Sequence, residues 1–192
     1  IGGDRPNARH QLRVVVGGPQ VSGHHQHRAC GQQRHRGGDL ARGLERRGLG
    51  TRFHVDSCGT AAFNVGKAPD PRAIAAAERR GYRIAHQRAR QVDDADFARF
   101  RYIVAMDGSN LRTLQGWATA GFGGEIRLLM HFAAGARDGE VADPYYGSAE
   151  AFDVVLDAIE CGVEGLLDYL CARHDAGFDS RQRVSPQNPR TH

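Results

Sequence analysis

The chain of 192 residues is long enough for one domain of ordinary size with loose ends. Its net charge of +4 is unevenly placed: residues 1–50 carry nine arginines against Asp4, Asp39 and Glu45, or +6, which leaves −2 for the remainder. The positive balance thus describes the N-terminal quarter, and nothing in the body marks a nucleic-acid binder.

Lys67 is the only lysine beside 25 arginines, a bias of GC-rich coding DNA rather than of a binding surface. Cys30, Cys58, Cys161 and Cys171 form no C-x-x-C pair and no zinc-ligand spacing with the histidines, so reduced thiols in a cytoplasmic protein are expected. No apolar run is long enough to span a bilayer and no charged-then-apolar leader opens the chain, so a soluble protein that is not exported is expected.

In chain order, Leu12–Val16 reads as a short buried strand, β-branched and followed by Gly17-Gly18-Pro19. From Gly17 to Gly43, 19 of 27 residues are Gly, Arg, His or Gln, with no period of 2 or 3.6. Such a stretch cannot bury enough surface to offset its ordering entropy. Residues 1–43 are therefore expected to be irregular, as a disordered segment or an off-frame translation of GC-rich DNA, with the folded body at 44–172 and a loose tail at 173–192.

The body opens on the end of a helix closed by Gly48. Phe53–Asp56 is a strand candidate running into a Ser57-Cys58-Gly59-Thr60 turn. Asp70-Pro71 starts a helix that Gly81 ends, and Asp93–Phe97 opens a short one with acids at the positive end of its dipole. Tyr102–Met106 is the clearest buried strand, Ser109 to Trp117 a helix, and Glu125–Leu129 the last strand. From Ser148 to about Cys171, Phe152, Val155, Leu156, Ile159, Val163, Leu166, Leu167 and Leu170 make one apolar stripe at helical spacing, which is core packing.

Strands alternating with helices imply an α/β fold, three layers with a parallel sheet covered on both faces. Ligands in such folds sit at the carboxyl ends of the strands, where Asp56, Asp107 and the connection holding Asp143 fall. Within Val141–Gly147, Pro144 restricts the backbone beside Asp143, and Tyr145 and Tyr146 supply apolar walls. The stretch suits either a polar turn ahead of a helix or a general acid at a site for an aromatic group, and its place after the strands favours the second.

Six blocks resemble, in order, the low-molecular-weight protein tyrosine phosphatases: Val55–Thr60, Phe63–Gly66, Pro69–Ala73, Ala85–Gln91, Ala105–Leu111 and Asp143–Gly147. The resemblance covers residues 44–171. It implies a four-stranded parallel sheet and metal-free, cofactor-free hydrolysis of phosphotyrosine through a phosphocysteine. The expected substrates are phosphotyrosine proteins or small aryl phosphates, taken by a monomer or weak dimer. Asp143 matches the acid, which then becomes the base; Phe63, where the family often carries Trp, Tyr145 and Tyr146 match the aromatic walls. Asp56, Ser57, His86, Asp107 and Asn110 match residues that support the phosphate loop, and each also reads as an ordinary turn or cap residue.

The chain departs from the family at the phosphate loop, which should follow the first strand and read Cys-x-Gly-Asn-x-Cys-Arg-Ser-Pro. Only Cys30–Arg36 satisfies the bare C-x5-R spacing, with Gly37-Gly38 where Ser-Pro would open the next helix. Cys30 as nucleophile and Arg36 as phosphate clamp are the expectation that follows. The alternatives are a catalytically inactive relic or phosphotyrosine-binding module and, more remotely, an arsenate reductase, for which no cysteine relay pair stands out.

Overall fold

The computed structural model describes residues 10–15, 35–135, 139–144 and 147–175, and, of the side chains before Leu40, only that of Leu12. In chain order the elements are strand β1 (His10–Val15), helix α1 (His35–Arg46), β2 (Phe53–Cys58), α2 (Pro71–Arg79), α3 (Asp94–Arg99), β3 (Tyr102–Ala105), α4 (Gly108–Trp117), β4 (Glu125–Leu128) and α5 (Ala149–Asp175). Short 3₁₀ turns lie at Ala62–Asn64 and Leu129–His131.

The four strands form one sheet in the order β2-β1-β3-β4, and every pairing is parallel. Parallel neighbours need crossovers, and the helices supply them. The alternation along β3 shows why its sequence is apolar throughout. Tyr102, Val104 and Met106 join the core with Leu40, Leu44 and the α5 stripe. Ile103 and Ala105 join Phe97, Phe100 and Leu114 on the opposite face. A strand covered on both sides has no polar face to show.

Asp70 caps α2 by accepting from the Arg72 amide at 2.8 Å, with Pro71 at the first helical position. Asp93 and Asp96 form a reciprocal capping box at α3. Gly48 and Gly81, at φ +71° and +80°, close α1 and α2 in the left-handed conformation that a side chain resists. The eight residues of the α5 stripe are all buried.

Three boundaries differ from the sequence reading. The stretch read as irregular up to residue 43 contains helix from His35 onward, because Leu40 and Leu44, one turn apart, are both buried against α5. Residues 1–9 and 16–34 of that stretch lie outside the described residues. Strand β2 continues through Cys58 instead of turning at Ser57, since Cys58 is buried in the second core and pairs with Val15. Helix α5 runs to Asp175, past the expected tail boundary. Its last turn is held by Arg173, 2.8 Å from Glu125, and by the His174 ring set edge-on to Phe53 and Tyr102.

Candidate active site

The strand order fixes where a site can form. Helix α1 leads from β1 to β2, while α4 leads from β3 to β4 on the other side of the sheet. The two adjacent strands β1 and β3 thus send their connections in opposite directions, and a crevice opens at their carboxyl ends. Val15, the last residue of β1, pairs with Cys58 on one side and Ala105 on the other. The chain leaving β1 is therefore delivered between the ends of β2 and β3.

A polar bracket joins those two ends. Asp107, directly after β3, accepts from the Asn110 amide at 2.7 Å and caps α4. The Asn110 side chain donates back to Asp107. Its Oδ1 accepts from Thr60 Oγ1 at 3.2 Å, and the Thr60 carbonyl accepts from Gln91 Nε2 at 3.1 Å. Asn110 is buried, so both halves of its amide need these partners. Because β1 lies between β2 and β3, the Thr60–Asn110 bond flanks the point where the chain leaves β1.

Asp143 reaches the same end of the sheet on a short tethered segment. The Val141 amide donates to the Met106 carbonyl at 2.9 Å, and the Gly108 amide donates to Glu140 Oε1 at 2.9 Å. On the far side the Gly147 amide closes a turn onto the Pro144 carbonyl at 2.8 Å, while Arg72 Nη1 donates to the Gly147 carbonyl at 3.1 Å. Val141 and Pro144 are buried, and Asp143 between them is exposed. Anchored neighbours thus present a solvent-facing carboxyl. That is a workable arrangement for exchanging a proton with a bound group and with water.

The remaining expected residues are placed unevenly. Ser57 is buried, and its amide donates to Asp56 Oδ1 at 2.7 Å. Asp56 turns its other oxygen to Arg90 at 3.5 Å. Arg90 in turn grips Asp96 with bonds of 2.9 and 2.8 Å. Asp56 thus belongs to a charge cluster tying β2 to α3. Phe63, in the first 3₁₀ turn, is 46% exposed, with Lys67 Nζ 5.9 Å from its ring centre, and offers an open aromatic face. His86 is exposed and makes no hydrogen bond among the described residues. Arg36 is the second residue of α1, but its side chain, like Cys30, Tyr145 and Tyr146, lies outside the described residues. Among the described residues, no group of three or more His, Cys, Asp and Glu could hold a metal ion.

The sequence reading assigned no role to Glu140, Arg72 or Thr60. For Arg72 a signal existed: Asp70 and Arg72 straddle a proline at a helix start, where an acidic cap and a nearby guanidinium readily pair. For Glu140 none did, because its partner amide lies 32 positions away in the chain.

Comparison with known proteins bears on the same region. The family model for low molecular weight phosphotyrosine protein phosphatase matches residues 40–176. A low molecular weight phosphotyrosine protein phosphatase of Schizosaccharomyces pombe is 39% identical over 110 residues, which are 57% of this chain and 70% of that one. A low molecular weight protein-tyrosine-phosphatase of Streptomyces coelicolor is 36% identical over 127 residues, 65% of this chain and 77% of the other. The crystal structure of a protein tyrosine phosphatase from Entamoeba histolytica superposes with a TM-score of 0.74 at 26% identity, covering 85% of this chain and 98% of that one. With the family model matching well over half of its length, and with the fold in agreement, the chain belongs to the low molecular weight phosphotyrosine protein phosphatase family, hydrolases of phosphoric monoesters.

Proposed function

We propose that this chain removes phosphate from phosphotyrosine proteins and small aryl phosphates, with Asp143 as proton donor, Cys30 as nucleophile and Arg36 as phosphate clamp. The observation that carries the reading is the tether of Val141 to Met106, at 2.9 Å, which anchors the Asp143 segment to the carboxyl end of β3. Two further points support Cys30 and Arg36. Arg36 falls in the first turn of α1, six places after Cys30. A crossover helix between parallel strands starts at the strands' carboxyl ends, so the positive end of α1 faces the crevice, where it favours both a thiolate and a phosphate.

The chemistry balances in two steps. The Cys30 thiolate attacks phosphorus as the bond to the aryl oxygen breaks, and Asp143 gives its proton to the departing oxygen. Asp143, now a carboxylate, takes a proton from water. The water oxygen attacks phosphorus, the sulfur–phosphorus bond breaks, and the thiolate and inorganic phosphate are released. Arg36 pairs two equatorial oxygens as charge shifts onto them. Phe63, Tyr145 and Tyr146 accept the phenyl ring, and Asp56, Ser57, His86, Asp107 and Asn110 support the loop that holds the phosphate.

The free thiols of Cys58, Cys161 and Cys171 support a reducing compartment such as the cytoplasm. No helix among the described residues is long and apolar enough to cross a membrane.

A second reading, a phosphatase body that no longer turns over, is favoured by one observation: the first cysteine after β1 is Cys30, far beyond Val15. Hydrolysis of p-nitrophenyl phosphate by the full chain, beside Cys30→Ser and Asp143→Ala, separates the two. Turnover abolished by the first change and lowered by the second supports the catalytic reading. An inactive parent chain, or activity indifferent to Cys30→Ser, sinks it.

A further inference from the structure

We propose that Arg72 is a positioning residue for Asp143, holding the turn that follows the acid at a fixed distance from the end of the sheet. The inference rests on the acid role given to Asp143 above and adds the device that aims it. The guanidinium uses all three of its nitrogens. Nε lies 3.2 Å from Asp70 Oδ1 and Nη2 lies 3.1 Å from Asp70 Oδ2, while Nη1 donates to the Gly147 carbonyl at 3.1 Å. Its carbon sits 4.8 Å from the centre of the Phe152 ring in α5.

Asp70 is what makes this arrangement rigid. Its side chain is 6% exposed against 38% for Arg72, and it is already oriented as the cap of α2. A buried carboxylate in a fixed rotamer, gripped by two parallel bonds, sets the plane of the guanidinium. The ring of Phe152 sets its depth. Nη1 is then aimed at one carbonyl, that of Gly147, whose own amide closes the turn onto Pro144 at 2.8 Å.

The consequence falls on Asp143. Its segment is fixed before the acid, where Val141 meets Met106, and after it, where Gly147 meets Arg72. With both ends held, the carboxyl has a narrow range of positions over the crevice. With the second end free, the backbone at Asp143 loses this restraint and keeps the one at Val141. A general acid works only within hydrogen-bond reach of the leaving oxygen, so a loose segment costs rate while leaving phosphate binding intact. Lysine cannot replace this arginine, because one ammonium cannot hold the two Asp70 oxygens and the Gly147 carbonyl in a fixed plane.

The test uses the full chain and Arg72→Lys, with kcat and KM measured on p-nitrophenyl phosphate and on phenyl phosphate. Nitrophenolate leaves with little help from a proton, whereas phenolate needs it. Arg72→Lys is expected to lower kcat on phenyl phosphate about tenfold more than on the nitrophenyl ester, with KM little changed. Amide exchange at Gly147 should rise about tenfold, with β3 and α4 unaffected. Asp70→Asn keeps the helix cap but loosens the guanidinium; it should move both readouts in the same direction by less, and it serves should Arg72→Lys fail to fold. Equal losses on the two substrates, or unchanged exchange at Gly147, overturn the proposal. A parent chain without turnover overturns the catalytic reading instead, and the exchange rates then decide by themselves whether Arg72 holds the turn.

Discussion

The amide of Gly108, the first residue of α4, donates to the carboxylate of Glu140, three residues ahead of Asp143, at 2.9 Å. Asp107 satisfies the Asn110 amide of the same first turn, so two acids serve different orphan donors of one helix. Glu140→Ala leaves the Gly108 amide without this partner. The expected loss is about 1 kcal/mol of stability, since the carboxylate is exposed and water replaces part of the bond. On aryl phosphates kcat should fall while KM holds, because the acid segment loses a tether and the phosphate contacts do not. Urea unfolding beside steady-state kinetics checks both, and an unchanged midpoint would show that the bond contributes nothing.

Arg90 is the next residue to change. Its partner Asp96 has a side chain only 3% exposed and also accepts from the Asp93 amide at 3.1 Å in the α3 cap. Arg90→Met strands a buried carboxylate, which costs about 3 kcal/mol or more. Arg90→Met with Asp96→Asn removes the charge together with its partner, and should recover much of that loss while keeping the cap. Thermal melting of the single and double variants decides. Similar destabilisation in both would mean that packing, not the unpaired charge, is responsible.

Gly165 lies within α5, where alanine would ordinarily gain about 1 kcal/mol of helix propensity. A β-carbon there would sit 1.9 Å from the Phe132 carbonyl oxygen, a backbone atom that cannot step aside. Overpacking of that severity costs about 3 kcal/mol, more than propensity returns. Gly165→Ala should therefore melt below the parent chain, whereas Gly116→Ala, with open space around its β-carbon in α4, should melt at or above it. The reverse order would refute the close approach of α5 to the turn after β4.

Glu125 provides the pH dependence. Burial pushes its carboxyl up, but the Tyr169 hydroxyl and the guanidinium groups of Arg173 and Arg127 outweigh this and hold it below the usual range. A depressed carboxyl stabilises the folded chain above its unfolded value, about pH 4, and that stability drains away as the pH falls through the folded value. The melting temperature of Glu125→Gln should thus lie furthest below that of the parent near neutrality, and the gap should close under pH 4. A gap constant with pH would remove the ionised carboxylate from the explanation.

Much of the architecture was legible from local patterns. The helix starts at Asp70-Pro71 and Asp93 were readable because a cap is a relation between residues two or three apart. The doubly covered strand β3 announced itself by an unbroken apolar run, and α5 by its stripe. Helix α1 was not readable over His35–Gly43, because its glycines and arginines hid the single spacing that matters, Leu40 to Leu44. The family blocks singled out Asp143 as the candidate acid, yet the tethers of its segment run to Met106, Gly108 and Arg72, partners far away in sequence. Those links are properties of the folded chain, and no window of sequence contains both ends of any of them.

Among the described residues helix α5 is the last element, and the four strands precede it. Its buried side chains complete the larger core, from Phe152 to Leu170. Its acids also meet arginines of earlier parts of the chain: Glu164 and Asp168 pair with Arg47, directly after α1, and Asp153 pairs with Arg79 of α2. A nascent chain that has emerged only to Gly147 would hold all four strands with one face only partly covered, by α1 and α2, and with Arg47 and Arg79 facing water. Folding must therefore wait until α5 has been made, and chain termination or clipping before residue 149 should yield an aggregation-prone fragment in place of a smaller working domain.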